Sequence, residues 1–250
     1  MLFRQALKRR IRRRWDLVAD WWSASIGLNG DFSRSEIIIP RLNSLSYEFK
    51  GTRIIDAGCG EGYFSRWLLK KGAKVTGIDI SPKMIDFARR KNGTETQYIV
   101  GDIESPLNLN ESSHDFCFSI NVFMDIGYPE RVFRYLSNIL KEHGILVMVI
   151  PHPSTFGPNG IGIKLWKGRQ IHKRKGEILY TTQIDGNSPV RTYYFYRDTD
   201  WYIKRASKYF DKMNESDLYL PYNAPQQFWT KLKGLPIFKL LIFRRHTFNP

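Results

Sequence analysis

The chain has 250 residues, 42% of them hydrophobic and 25% charged, and a formal net charge of +15. Its length suits one domain with a full core, its composition excludes disordered and fibrous classes, and no run of about 18 apolar residues suggests a membrane span. Cys59 and Cys117 have no Cys or His neighbour at metal-ligand spacing and the N-terminus lacks a secretory-type apolar stretch, so no metal and a reducing, cytoplasmic setting are expected.

Residues 1–50 read as a cover of two helices. The first is basic and aromatic around Trp15, Trp21 and Trp22, and the second lies near Glu36 to Phe49 with a turn or kink at Pro40. Residues 51–151 then alternate short apolar runs with helical patterns, as βα units around a parallel sheet do. Strands are expected at Arg53–Ala57, Lys74–Ile80, Thr96–Ile103, Asp115–Asn121 and Gly144–Pro151. Between them, one helix runs from Tyr63 to a stop at Gly72, one opens with Ser81 as N-cap and Pro82 at its first position, and one spans Pro129–Lys141.

Residues 152–195 are rich in Gly, Pro, Lys and aromatics without a firm period, which predicts an inserted loop or lid on the substrate side rather than sheet. In residues 196–250 a short helix near Asp200–Tyr209 precedes a closing strand at Pro236–Arg245. Positive charge gathers at both flanks: Arg4, Lys8, Arg9, Arg10, Arg12, Arg13 and Arg14, then Lys164, Lys167, Arg169, Lys173, Arg174 and Lys175. Such clusters suit nucleic acid, an anionic membrane surface or an acidic substrate.

The decisive segment is Asp56-Ala57-Gly58-Cys59-Gly60-Glu61-Gly62, at the end of the first strand. Glycines there let the chain turn sharply and let a nucleotide-like ligand approach the main chain, where a Cβ would intrude. A dinucleotide turn needs a third small residue where Tyr63 stands, and Asp56 would repel a pyrophosphate. A cationic ligand fits better.

This segment resembles the first motif of class I S-adenosylmethionine (SAM)-dependent methyltransferases, and the similarity continues through Asp79-Ile80 ending the second strand, Asp102-Ile103 ending the third and Asn121 ending the fourth. The resemblance implies a doubly wound, Rossmann-like α/β fold: a seven-stranded, mostly parallel sheet with one antiparallel strand and helices on both faces. It also implies a SAM site, with S-adenosylhomocysteine as product. Asp56, Ala57, Gly58, Cys59, Gly60 and Gly62 would hold the methionine part and Asp79 the ribose hydroxyls. Ile80, Met84, Asp102 and Ile103 would surround the rest of the nucleoside, with Asn121 and Phe123 beneath the sulfonium.

In-line methyl transfer chiefly needs alignment and exclusion of water. His152, in a segment resembling small-molecule members of the family, is the candidate to orient or deprotonate the acceptor; a histidine capping a loop is the competing reading. Trp21, Trp22, Met124, Trp166 and Tyr196 are candidate substrate contacts. A small metabolite methylated on oxygen or nitrogen is the favoured acceptor. Nucleic acid is the alternative, on the basic surface and the aromatic residues Tyr193, Tyr194, Tyr196 and Trp201 interleaved with it, and a non-catalytic partner subunit of the same fold is another. Leu2, Phe3, Leu7 and Ile11 among basic residues suggest a helix lying on lipid, a transit peptide, or a lid over the pocket.

Overall fold

The structure is a computed structural model that describes residues 2–174, 176–222, 224 and 230–247. Lys175 of the second basic group lies outside the described residues, as do the side chains of Leu2, Phe3, Arg4 and Arg174.

Five parallel strands form the centre: β1 (Arg53–Ala57), β2 (Lys74–Asp79), β3 (Gln97–Val100), β4 (His114–Ile120) and β5 (Leu140–Pro151). Together with β9 (Phe210–Tyr219) and β10 (Pro236–Arg245) they build a seven-stranded sheet of order β3-β2-β1-β4-β5-β10-β9. Only β10 runs antiparallel to both of its neighbours. The order reverses between β1 and β4, so their carboxyl ends open the crevice where such sheets bind ligands.

Strand periodicity sorts the core into two layers. Ile54, Phe116, Phe118, Val147 and Val149 point to one face, where Phe49, Phe64 and Leu68 cover them. Ile55, Cys117, Leu146 and Met148 point to the other, beneath α5 (Pro129–Ile139) and α8 (Thr199–Ala206). Helix α3 (Tyr63–Lys70) follows the glycine turn, and α4 (Pro82–Asn92) starts where Ser81 Oγ accepts from Met84 N at 3.1 Å.

The flanks depart from the sequence expectations in three places. Helix α1 (Leu2–Ile26) is followed by a π-type turn (Ser33–Ile38) and α2 (Ile39–Asn43), so helical structure ends well before Phe49. The later residues are drawn out because Tyr47 and Phe49 insert against Phe116. Residues 152–195 are not a loop alone: after α6 (Pro153–Phe156) and α7 (Ile161–Leu165) comes a three-stranded antiparallel sheet of β6 (Arg169–Arg174), β7 (Glu177–Thr182) and β8 (Thr192–Tyr196). Its period was invisible because β7 and β8 are buried on both sides, Leu179 and Phe195 against α1 and Tyr180 and Tyr194 against the main core. Strand β9 escaped notice because it is a largely exposed, charge-rich edge strand. Among the described residues no helix is long and apolar enough to cross a membrane.

Candidate functional site

The glycine turn is pinned from below. Gly58 N and Cys59 N both donate to Ile78 O, at 2.7 and 2.9 Å. Gly58 has φ +79°, and a Cβ there would lie 2.3 Å from Val122 Cγ2, so the residue must be glycine for both conformation and space. A Cβ on Gly60 would meet only Trp22 Nε1, at 3.7 Å, so that part of the turn faces open space.

That space is a cavity of about 180 Å³ at the carboxyl ends of β1 to β4. Of the residues expected to contact ligand, Gly58, Cys59, Gly60, Asp79, Ile80, Met84, Asp102, Ile103, Asn121, Met124, Trp22 and Trp166 line it. Asp79 is the best held. Its Oδ2 accepts from Gly60 N at 3.0 Å and its Oδ1 from Ser81 N at 2.8 Å, which ties the turn to the start of α4. Asn121 adopts φ +57°, a conformation Asn tolerates, and its Oδ1 is buried without a hydrogen-bond partner.

Other expected contacts lie elsewhere. Asp56 sits beneath the turn, 2% exposed, with Oδ2 accepting from Ser65 Oγ at 2.6 Å. Neither Ala57 nor Gly62 lines the cavity; Ala57 is in the core and Gly62 begins α3. Phe123 turns away and stacks on Phe133 at 5.0 Å. Trp21 packs beside Val18, Ala19 and Met84, and Tyr196 packs on the main core. His152 is outside the cavity too. Its Nδ1 accepts from Ser154 N at the start of α6, and its Nε2 lies 3.1 Å from Asp217 Oδ1. The ring is therefore occupied as a cap and strand tie, because Pro153 turns the chain into α6 immediately after β5.

Burial dominates the electrostatics. It pushes the Asp56 carboxyl up to about 7 and Asp79 up to about 6. Asp125, unforeseen from the sequence, lines the cavity from the short 3₁₀ turn Phe123–Asp125, and burial together with the Asp79 charge holds its carboxyl well above the usual range. A cluster of disfavoured negative charge is an environment that a cation relieves.

The outer wall was only partly foreseen. Helix α1 crosses the cavity: Lys8 Nζ lies 2.5 Å from Asp102 Oδ2 and 3.2 Å from Glu104 Oε2, and Ser81 Oγ donates to Asp16 Oδ1 at 2.6 Å. Its apolar residues face protein, Ile11 against Leu179, Tyr193 and Phe195, and Val18 and Ala19 against Met84. Opposite, Arg197 is 2% exposed and its Nε donates to Glu177 Oε2 at 2.6 Å. Its two terminal nitrogens donate to Phe123 O at 3.2 Å and Ile126 O at 2.8 Å, fastening the insert to the turn that carries Asp125. Long-range partnerships of this kind leave no local pattern in a sequence.

These residues fit a nucleoside sulfonium. They provide a cradle free of side chains at Gly60, an acid at the end of β2 able to accept from a diol, a polar atom without a partner at Asn121, and, among the described residues lining the cavity, no positive charge except Lys8 and Arg34, each already paired with acids.

Residues 55–148 match the family described as a methyltransferase domain. The chain is 40% identical over 107 residues to malonyl-[acyl-carrier protein] O-methyltransferase of Serratia marcescens, covering 43% of this chain and 41% of that protein. It is 32% identical over 139 residues to a ubiquinone biosynthesis O-methyltransferase of Coxiella burnetii, covering 52% and 56%. The chain thus spans about half the length of the curated relatives it matches, or less. In fold it is similar to a SAM-dependent methyltransferase of Mesorhizobium loti, with TM-score 0.65, 24% identity, and coverage of 88% of this chain and 100% of that one. It is also similar to the 1,6-didemethyltoxoflavin-N1-methyltransferase of Burkholderia thailandensis solved with S-adenosylhomocysteine, with TM-score 0.52, 13% identity and coverage of 79% and 72%. Matched motifs, strand order and relatives agree: residues 55–148 of this chain match the methyltransferase domain family and are similar to class I SAM-dependent methyltransferases.

Proposed function

We propose that the protein transfers a methyl group from SAM to an oxygen or nitrogen of a small metabolite. The observation that carries this reading is the convergence of Gly60, Asp79, Asp102 and Asn121 on one cavity closed on its far side by α1 and the insert sheet. Asp79 accepts from the ribose hydroxyls, as an ionised carboxylate does well from a diol. Asp102 meets the adenine amino group, Asn121 and Met124 lie toward the methyl, and the turn's main chain holds the amino acid end. Bound SAM would supply an electrophilic methyl on a sulfonium, and the protein's part is to orient the acceptor and exclude water.

Both curated relatives named above are O-methyltransferases, which supports a small or carrier-bound acceptor over a polymer. The covered cavity supports the same choice, because Trp15 and Trp22 of α1 stand over it. Asp56 acts from below, fixing the turn through Ser65.

Calorimetric titration with SAM and S-adenosylhomocysteine tests the site, and both are expected to bind. Absence of heat with either would sink the reading and favour a structural subunit. Methyl-labelled SAM with cell extract tests the acceptor: label is expected in the small-molecule fraction, and label in RNA would replace it with the polymer reading.

A further inference from the structure

Six acids line the cavity: Asp31, Glu61, Asp79, Asp102, Glu104 and Asp125. Five are already committed. Asp31 holds Arg34 at 2.5 Å, and Glu61 holds Arg66 at 3.1 Å and Lys91 at 2.5 Å. Lys8 serves Asp102 and Glu104 together, and Asp79 takes two backbone amides. Asp125 differs. Its partner is the Trp15 side chain of α1, which donates to it, and among the described residues no basic side chain pairs with it.

Among the described residues no histidine lines the cavity, and burial holds the Tyr194 hydroxyl beside Asp125 well above its usual range, so it keeps its own proton and cannot accept another's. Asp125 follows β4 directly, on the turn whose carbonyls at Phe123 and Ile126 are gripped by Arg197. It therefore lines the cavity on a braced piece of main chain, on the same loop as Asn121 and Met124, the residues assigned above to the methyl side.

Building on the function proposed above, we infer that Asp125 faces the transferring methyl and receives the proton of the acceptor. As the acceptor O–C or N–C bond forms and the sulfur–methyl bond breaks with its electron pair going to sulfur, the acceptor O–H or N–H proton passes to a carboxylate oxygen of Asp125. No further reactant is needed. A carboxylate in such surroundings is a stronger base than one on the surface, which suits the task.

The test uses two ligands and needs no acceptor. Sinefungin carries a protonated amine where SAM carries its methyl, whereas S-adenosylhomocysteine carries nothing there. Titration of the full chain is expected to show that Asp125→Asn leaves S-adenosylhomocysteine affinity within about twofold and lowers sinefungin affinity about tenfold or more, as loss of a charge-assisted hydrogen bond does. In the labelled-extract assay the same variant should lose about 100-fold or more of its turnover. An unchanged ratio of the two affinities would overturn the assignment. Should Asp125→Asn fail to fold, Asp125→Ala is judged by the same ratio. If wild type binds neither ligand, the SAM reading itself fails, a different outcome from loss of the ratio.

Discussion

Lys8 Nζ, on α1, lies 2.5 Å from Asp102 Oδ2, just past the end of β3, across 94 positions of sequence. The contact holds the covering helix against the acid assigned to adenine. Lys8→Met removes a half-buried ion pair worth about 1 kcal/mol, enough to raise the undocked population of α1 about fivefold. Trypsin should therefore cut the Arg9–Arg14 stretch faster in the variant, and S-adenosylhomocysteine should slow cutting in wild type. Equal cutting rates would show that α1 is held without Lys8.

Asp79 sets a pH dependence. Burial places its carboxyl at about 6, against 3.8 ordinarily, and in the site proposed above the ribose hydroxyls would donate to its ionised form. Protons therefore compete with the nucleoside. S-adenosylhomocysteine affinity should fall as pH drops through about 6, by up to about tenfold per unit, and level off above it. Asp79→Asn should bind weakly throughout and lose this slope; isothermal titration across pH 5 to 8 checks both.

At Gly58 the limits are conformation and space. Gly58→Ala meets Val122 and a left-handed backbone, and should cost about 1–3 kcal/mol and lose S-adenosylhomocysteine binding. Adding Val122→Ala should recover the steric part and leave the backbone part. Urea unfolding of both variants separates the two contributions.

Arg197→Met would remove a buried charge partner of Glu177, together with the carbonyl contacts to Phe123 and Ile126, and should cost about 3 kcal/mol by urea unfolding. Replacing both residues with methionine should recover part of that loss, because the buried carboxylate is removed along with its guanidinium. Recovery of nothing would mean that the carbonyl contacts, not the ion pair, hold the insert.

His152→Ala should leave S-adenosylhomocysteine affinity unchanged and cost about 1 kcal/mol of stability, the worth of a lost helix cap. A fall in affinity without loss of stability would return His152 to the site.

The reach of sequence reading follows from how local each signal was. Gly58, Gly60, Asp79 and Asp102 announced themselves because each stands at a strand end in a pattern spanning a few residues, and the central strands followed from runs of Ile, Val and Phe. Asp56 carried the right motif but the wrong exposure: it is buried within β1, one residue before the strand ends at Ala57, and Ser65 on α3 occupies it. Asp125 and Arg197 stayed hidden because their meaning depends on partners 110 and 20 or more positions away, Trp15 for one, Glu177 and the Phe123 carbonyl for the other. The insert sheet was missed because apolar neighbours on both faces erase the alternation that marks a half-exposed strand.

The contacts of α1 with the core are spaced along it: Lys8 with Asp102, Trp15 with Asp125, Asp16 with Ser81 and Asp20 with Lys83. A row of modest attachments peels from one end instead of releasing at once, and the Val18, Ala19 and Met84 seam gives the far end its anchorage. The arginine-rich first turns can thus lift while the middle of the helix stays seated, which makes the Lys8 end the hinged edge of the cover.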